Sequence, residues 1–267
     1  MKIRSLSLVA ILLLQLALIS QSFAQNNQGL YMKIDYLNID LQELTSFQSE
    51  VESILKPVYE ARIEAGAMDN WYLYKVLYPG SQNTDYNFIA VSICSELCTN
   101  DNLASQLDEF ADGNGNSSAD LLSEYNSVLT PKFSELWKIN NSIEHDNAND
   151  PARYLMLDYM NVMPGSEYTY QMMEDDHAKP IHQFRIENGN MEGWELFQLI
   201  LPRGEEYGYN FSTGNYYNDL KNVEFHFNEE VLRQSRPEAD VAAFFQNVEN
   251  VRDLVRSEVW ELITYVK

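Results

Sequence analysis

Apolar and polar positions alternate with period two from Tyr31 to Ile39, and again from Tyr154 to Val162. Both runs predict strands. The alternation sets Tyr36 and Asn38 with Ile34 on one face and Asp35 on the other. A turn follows each run, Asp40 to Leu44 in one case and Pro164-Gly165-Ser166 in the other, with Asp40 and Ser166 as the expected helix caps. A helix is then expected to about Ala65 or Asn188, stopped where Gly66 or Gly189 can take left-handed backbone. Pro57 and Pro180 fall inside these helices. Each withholds the N–H due to the carbonyl of Ser53 or Asp176, so a bend is expected at both. A second strand is expected over Met68–Tyr78 and Met191–Leu201, ended by Pro79 and Pro202. Trp71, Leu73 and Leu77 share one face, as do Trp194, Leu196 and Ile200. A third strand is expected around Tyr86–Phe88 and Tyr209–Phe211.

These parallels are a repeat. KPVYEARIEAGAMDNWYLY begins at Lys56, KPIHQFRIENGNMEGWELF begins at Lys179, and Lys179 lies 123 residues after Lys56. The offset holds from Tyr31 to Phe88, with roughly a third of the aligned positions identical. After a divergent stretch the register returns. Leu121, Leu122, Tyr125, Val128 and Trp137 align with Phe244, Phe245, Val248, Val251 and Trp260, and their spacing predicts a second amphipathic helix in each copy. Pro237 suits its first turn, and Pro131 is expected to kink or break the first copy's helix. The GNGNSS stretch from Gly113 to Ser118 reads as a loop, Asn140 to Asp150 as a linker, and Ile263 to Val266 as a short closing strand.

Strand, helix, strand, strand, helix in about 120 residues is the ferredoxin-like α+β plan. The expected architecture is therefore two tandem ferredoxin-like (βαββα) repeats, residues 25–145 and 146–267. Helices cover one face of each sheet, and the two open faces pack together as an internal dimer, an intrachain α/β barrel.

Composition adds a compartment. Lys2 and Arg4, an apolar run from Leu6 to Ile19 and Ser22-Phe23-Ala24 describe a secretory leader cleaved after Ala24, so residues 1–24 are expected to be removed and the protein secreted or periplasmic. The run is too short for a stable span, so no membrane span is expected after cleavage. Cleavage leaves 16 basic against 40 acidic side chains, a formal charge of −24. That field repels nucleic acid, and no nucleic-acid partner is expected. Two cysteines, Cys94 and Cys98, can pair in an oxidising compartment if the chain turns between them.

The Tyr-Asn strand, the Pro-kinked helix ending KP-x-[YH]-x₂-RI-x₂-G, M-x₂-W-x-L and the Pro-terminated strand together resemble the dimeric α/β-barrel superfamily. More narrowly they are similar to its secreted Bacteroidetes-type members of unassigned activity. The resemblance covers most of both halves. It implies cofactor-independent monooxygenases of the antibiotic-biosynthesis type and haem-handling enzymes as relatives. In those monooxygenases Asn, Trp and His line a cavity that positions an aromatic substrate and oxygen. The matching positions are Asn161, Trp194 and His182, with Tyr59 where the first copy would need its His, so at most one such site is implied.

Other candidates come from the recurring residues themselves. Tyr36, Asn38, Arg62, Trp71, Tyr159, Asn161, Arg185 and Trp194 are the ligand-binding candidates, against the alternative that Trp and Tyr fill the core. Arg62 and Arg185 either bridge to Asp35 and Asp158 or hold an anionic ligand. Asp35 and Asp158 could sit inside the barrel, and a desolvated Asp158 could act as a base. Glu174 and His177 form a Glu-x-x-His step, but Val51 and Ile54 stand at the matching places. No metal site is expected from them, and both are expected to face solvent. Nucleotide-binding, zinc and serine-nucleophile motifs are absent from the sequence, so no cofactor is expected. The reading is a protein that binds a small apolar or aromatic ligand in a barrel cavity. A monooxygenase-like enzyme and a structural or interaction module are the alternatives.

Overall fold

A computed structural model describes residues 29–78, 85–99, 103–114, 117–144, 150–225 and 229–267. The leader, Pro79, His145, His226 and part of the GNGNSS stretch lie outside the described residues. Among the described residues there are eight strands: β1 (Tyr31–Leu37), β2 (Asn70–Leu77), β3 (Phe88–Cys94), β4 (Phe133–Glu144), β5 (Tyr154–Val162), β6 (Gly193–Leu201), β7 (Phe211–Tyr217) and β8 (Arg252–Val266). All pair antiparallel into one closed barrel, in the order β1-β3-β2-β8-β5-β7-β6-β4. Each repeat supplies four consecutive staves, so the two sheets do face one another as the sequence predicts. No helix among the described residues is long and apolar enough to cross a membrane.

Closure depends on β4 and β8. Strand β4 pairs with β1 of its own repeat and with β6 of the other, while β8 pairs with β5 and with β2. The repeat unit is therefore βαββαβ, and its last strand ends no sheet; it joins two. This corrects the expectation that Trp137 and Trp260 extend a helix. The helices stop at Val128 and Glu249, and both tryptophans sit on strands, Trp137 opposite Leu199 and Trp260 opposite Val76. The i, i+1, i+4, i+7 rhythm ends at Val128, and Pro131 withholds the N–H a longer helix would use. The closing strand is Arg252–Val266 rather than four residues, and Asn140–Glu144 continue β4 rather than form a linker.

The helices are α1 (Leu44–Glu50), α2 (Lys56–Glu64), α3 (Leu103–Asn114), α4 (Ser118–Val128), α5 (Glu167–Met173), α6 (Lys179–Glu187), α7 (Glu229–Ser235) and α8 (Val241–Glu249). Helices α3 and α7 had no sequence forecast, and Gly113 and Asn114 belong to α3 rather than to a loop. Asp40 precedes the first helix by more than a cap position, and Ser166 occupies its cap without a side-chain bond. Asp240, not Pro237, starts α8, accepting the Ala243 N–H at 3.0 Å.

The expected bends take a specific form. Val51–Leu55 and Glu174–Ala178 are π-helical turns between α1 and α2 and between α5 and α6. A proline N–H is missing one residue further on, at Pro57 and Pro180. Widening the preceding turn lets the N–H of Lys56 or Lys179 reach back to the carbonyl of Val51 or Glu174. Gly66 and Gly189 then end α2 and α6 with φ +70, the left-handed backbone the sequence called for.

Three apolar layers follow. Inward residues of all eight strands fill much of the barrel, among them Ile34, Tyr36, Val76, Ile89, Leu157, Tyr159, Phe197 and Leu199. Gly214 is required there, because an added Cβ would stand 2.8 Å from the Phe197 ring. Outward residues of each half pack beneath its own helices. Buried Glu135 crosses the interior, accepting from the Tyr36 hydroxyl at 2.8 Å, the Trp137 indole at 2.9 Å, and the hydroxyls of Tyr207 and Tyr209. Its repeat partner Glu258 accepts from Trp260 and from Tyr86 of the other half.

Candidate functional site

In the first repeat the described residues between sheet and helices pack closely. Val51, Leu55, Tyr59, Leu121, Tyr125 and Leu129 are all buried there, and the hydroxyls of Tyr59 and Tyr125 meet at 3.1 Å. The offset that relates the copies places Glu174, Ala178, His182, Phe244, Val248 and Arg252 at those six positions. Two large side chains have become Ala178 and Val248, and three apolar or aromatic ones have become Glu174, His182 and Arg252. A cavity of about 410 Å³ results, bounded by β5, β7 and β8 on one side and by α5, the π-turn, α6 and α8 on the other.

Its walls divide by chemistry. Met156, Met160, Met173, Phe244, Phe245 and Val248 give an apolar, adaptable lining. Glu174, Asp158, Asn215, His182 and Arg252 supply polar groups. The π-turn presents Glu174 inward although His177, three residues on, is exposed and contacts Arg236. The sequence expectation that both face solvent is thus corrected for Glu174, because the widened turn changes which residues share a face.

Burial pushes the Glu174 carboxyl up to about 7, against the Tyr170 hydroxyl and the nearby Arg252 charge, which both pull it down. Arg252 has its Nε buried with no hydrogen-bond partner, which leaves a donor available to an oxygen in the cavity. His182 is held well below its ordinary range by burial and by the charge of Arg185, so it is neutral at physiological pH. Arg185 can only donate, so its Nη1, 3.1 Å from His182 Nδ1, makes that nitrogen the acceptor and leaves the proton on Nε2. The imidazole lies parallel to the Trp194 indole with ring centres 5.2 Å apart. Asp158 accepts from Asn215 at 3.1 Å and from the Ser257 hydroxyl.

Such an arrangement can hold a mostly apolar molecule and meet one polar end of it. A carboxyl that titrates near neutrality can also exchange a proton with that end. Among the described residues no group of three or more His, Cys, Asp or Glu side chains is placed to hold a metal ion.

No family model matches the chain, and no curated protein matches it in sequence. Solved structures do match in fold. A candidate monooxygenase from Fusobacterium nucleatum is 8% identical, with a TM-score of 0.51 over 89% of this chain and 93% of its own. A candidate chlorite dismutase is 13% identical, with a TM-score of 0.47 over 88% and 95%. A haem-binding protein from Thermus thermophilus is 9% identical, with a TM-score of 0.45 over 88% and 92%. The chain has the dimeric α/β-barrel fold.

Within that barrel the residues singled out from sequence part company. His182 and Asp158 line the cavity, and Trp194 lies behind His182. Asn38 and Asn161 are exposed near the strand ends, so Asn161 does not join His182 and Trp194. Tyr36 and Tyr159 point into the barrel, away from the cavity, with their hydroxyls 3.1 Å apart. Asp35 and Asp158 face outward rather than into the barrel, since period two puts each opposite its neighbouring tyrosine; Asp35 is bound by Lys33 at 2.8 Å and by Ser134. Trp71 stacks on Tyr59 at 4.3 Å, the counterpart of the Trp194–His182 pair. Arg62 donates to the Thr99 carbonyl at 3.0 Å, and Arg185 donates to the Tyr217 hydroxyl at 2.8 Å. Cys94 and Cys98 are bonded, with Cα atoms 5.6 Å apart.

Sequence reading set Glu174 in solvent and Val248 in the apolar stripe of a helix, and named neither Arg252 nor Ala178. The signal lies in the places where the repeats disagree.

Proposed function

We propose that this is an exported protein that binds a small, largely apolar molecule of aromatic size, carrying one weakly acidic hydroxyl or similar group, in the second-repeat cavity. One observation carries the reading. Of the six residues that seal the first repeat, five are replaced at the matching positions by smaller or polar ones that open the second; the sixth, Leu121, is matched by Phe244. The ligand's apolar body would meet the Met and Phe walls, and its polar end would meet Glu174 and the unpartnered Arg252 Nε. Export is supported by the leader pattern and by the Cys94–Cys98 bond, which persists in oxidising compartments.

Native mass spectrometry of protein purified from its own host tests this reading, with a bound small molecule as the expected result. Haem, which the Thermus protein binds, would appear as a distinct mass and absorbance. Protein with no adduct, and no small-molecule uptake when extracts of the host are supplied, would remove the support.

A second reading is favoured by Glu174 alone. With its proton equilibrium near neutrality, this carboxylate would deprotonate the bound hydroxyl or an adjacent C–H, the first step of a cofactor-free oxygenation. Oxygen uptake with the captured ligand, lost in Glu174→Gln while binding persists, is the result this reading requires.

A further inference from the structure

The barrel interior has two unlike ends. One is closed by the Tyr36–Tyr159 contact and by the hydrogen bonds that converge on Glu135 and Glu258. The other opens into a separate cavity of about 360 Å³, lined by residues of both repeats. This second cavity lies on the inward face of the strands, whereas the cavity with Glu174 lies on the outward face, so the two are different sites.

Its chemistry is set by one asymmetry. On β2 the inward residue is Tyr72, and the 123-residue offset places Glu195 at the matching position of β6. On β3 it is Ile93, matched by Tyr216 on β7. The second repeat thus brings a carboxylate and a tyrosine into a wall that also holds the apolar Met32, Val91 and Leu155. The Tyr216 hydroxyl donates to Glu195 Oε2, which fixes a carboxylate whose two oxygens can accept from several donors at once. Tyr72 and Tyr74 lie next to each other, ring centres 6.2 Å apart, and Tyr74 is buried. Burial first, and then the Glu195 charge among others, raises the pKa of both Tyr74 and Tyr216, so both hydroxyls stay protonated beside the carboxylate's wall. At the rim stand Asp150 and Glu192, with Lys267 the one cation among the lining residues.

We propose that this barrel mouth binds an aryl-alkyl amine, with its ammonium against Glu195 and its ring among Tyr72, Tyr74 and Tyr216. A carboxylate that accepts from Tyr216 in a lining shared with Tyr72 and Tyr74 supplies both an ionic partner and aromatic faces for a cation. An anionic ligand would face Glu195, Glu192 and Asp150 together and is disfavoured. The protein's overall charge of −22 attracts a cation over longer range.

Titration calorimetry of the full leaderless chain with phenethylamine, 2-phenylethanol and 3-phenylpropanoate tests the site. The amine is expected to bind at least about tenfold more tightly than the isosteric alcohol, and the acid not to bind, given the strength of a charged hydrogen bond with an aromatic contact. Glu195→Gln retains an oxygen for the Tyr216 hydroxyl, and is expected to weaken the amine by about tenfold to a hundredfold with an unchanged circular dichroism spectrum. If that variant does not fold, Tyr72→Leu carries the test, with a weakening of about threefold or more expected from loss of the ring face. Equal affinity for amine and alcohol, no binding of the amine, or a folded Glu195→Gln or Tyr72→Leu protein that binds it as well as wild type would overturn the proposal.

Discussion

The hydroxyls of Tyr36 and Tyr159, equivalent residues 123 positions apart, meet at 3.1 Å inside the barrel. Each copy thus touches its own image on the pseudo-twofold axis. The surroundings of the two are not identical. Phe133 stacks on Tyr36 with ring centres 4.2 Å apart, while its counterpart Arg256 sits 4.5 Å over the Tyr159 ring. Glu135 gathers both halves, since its donors come from β1, β4 and the segment before β7. Replacing it by leucine leaves the Trp137 indole without an acceptor, while the Tyr36 hydroxyl keeps Tyr159 as a partner. An unsatisfied buried donor costs on the order of 1–3 kcal/mol, and Tyr207 and Tyr209 can turn toward water, so Glu135→Leu should lose about 2 kcal/mol. Urea unfolding measures it; a loss below about 1 kcal/mol would mean the network does not join the halves.

Glu174 makes stability depend on pH in a direction opposite to that of a paired carboxylate. Its pKa rises from 4.5 in the unfolded chain to about 7 in the folded one. Between those values the folded state binds more protons, so this group's contribution is full below pH 4.5 and is lost as pH rises through 7. His182, whose pKa burial lowers, works the other way, losing its contribution as pH falls below the unfolded value of 6.5. Comparing wild type with Glu174→Gln isolates the first effect. The variant should match wild type near pH 4.5 and be more stable by about 3 kcal/mol near pH 8. A difference that does not grow with pH would show that Glu174 is not desolvated.

The Cys94–Cys98 bond closes a loop with a sequence separation of only 4, at the end of β3 and beside buried Leu103 and Leu107. A loop that short restricts the unfolded chain little, and loss of the bond in Cys94→Ala/Cys98→Ala should cost about 2 kcal/mol. Thermal unfolding with and without reductant checks this. A change larger than about 4 kcal/mol would assign the bond a role in holding α3 against the sheet.

The barrel was legible because the repeats agree at positions that make structure: Gly66 with Gly189, Pro57 with Pro180, Trp71 with Trp194. Agreement of that kind reports backbone geometry and packing, which both copies need. Closure was less legible. Trp137 and Trp260 continue an apolar spacing that fits a helix, and only the pairing of β4 with β6 and of β8 with β2 shows them to be strand residues. Such pairing joins residues far apart in the chain and leaves no local periodicity to read. The cavity was hidden for a related reason. Glu174 lies on a π-turn, where a 3.6-residue wheel misplaces side chains, and only its apolar twin Val51, itself buried, pointed to the position's burial.

The central claim is that the second repeat is an opened version of the first. Exchanging Ala178→Leu and Val248→Tyr together restores the residues that stand at positions 55 and 125 of the sealed copy. Filling an existing cavity with residues its twin accommodates should leave the fold intact and remove the space a ligand needs. Native mass spectrometry of the wild type and this double variant, both purified from the natural host, is the direct measurement. The account predicts a small-molecule adduct on the wild type and none on the folded variant; equal adduct on both proteins would contradict it.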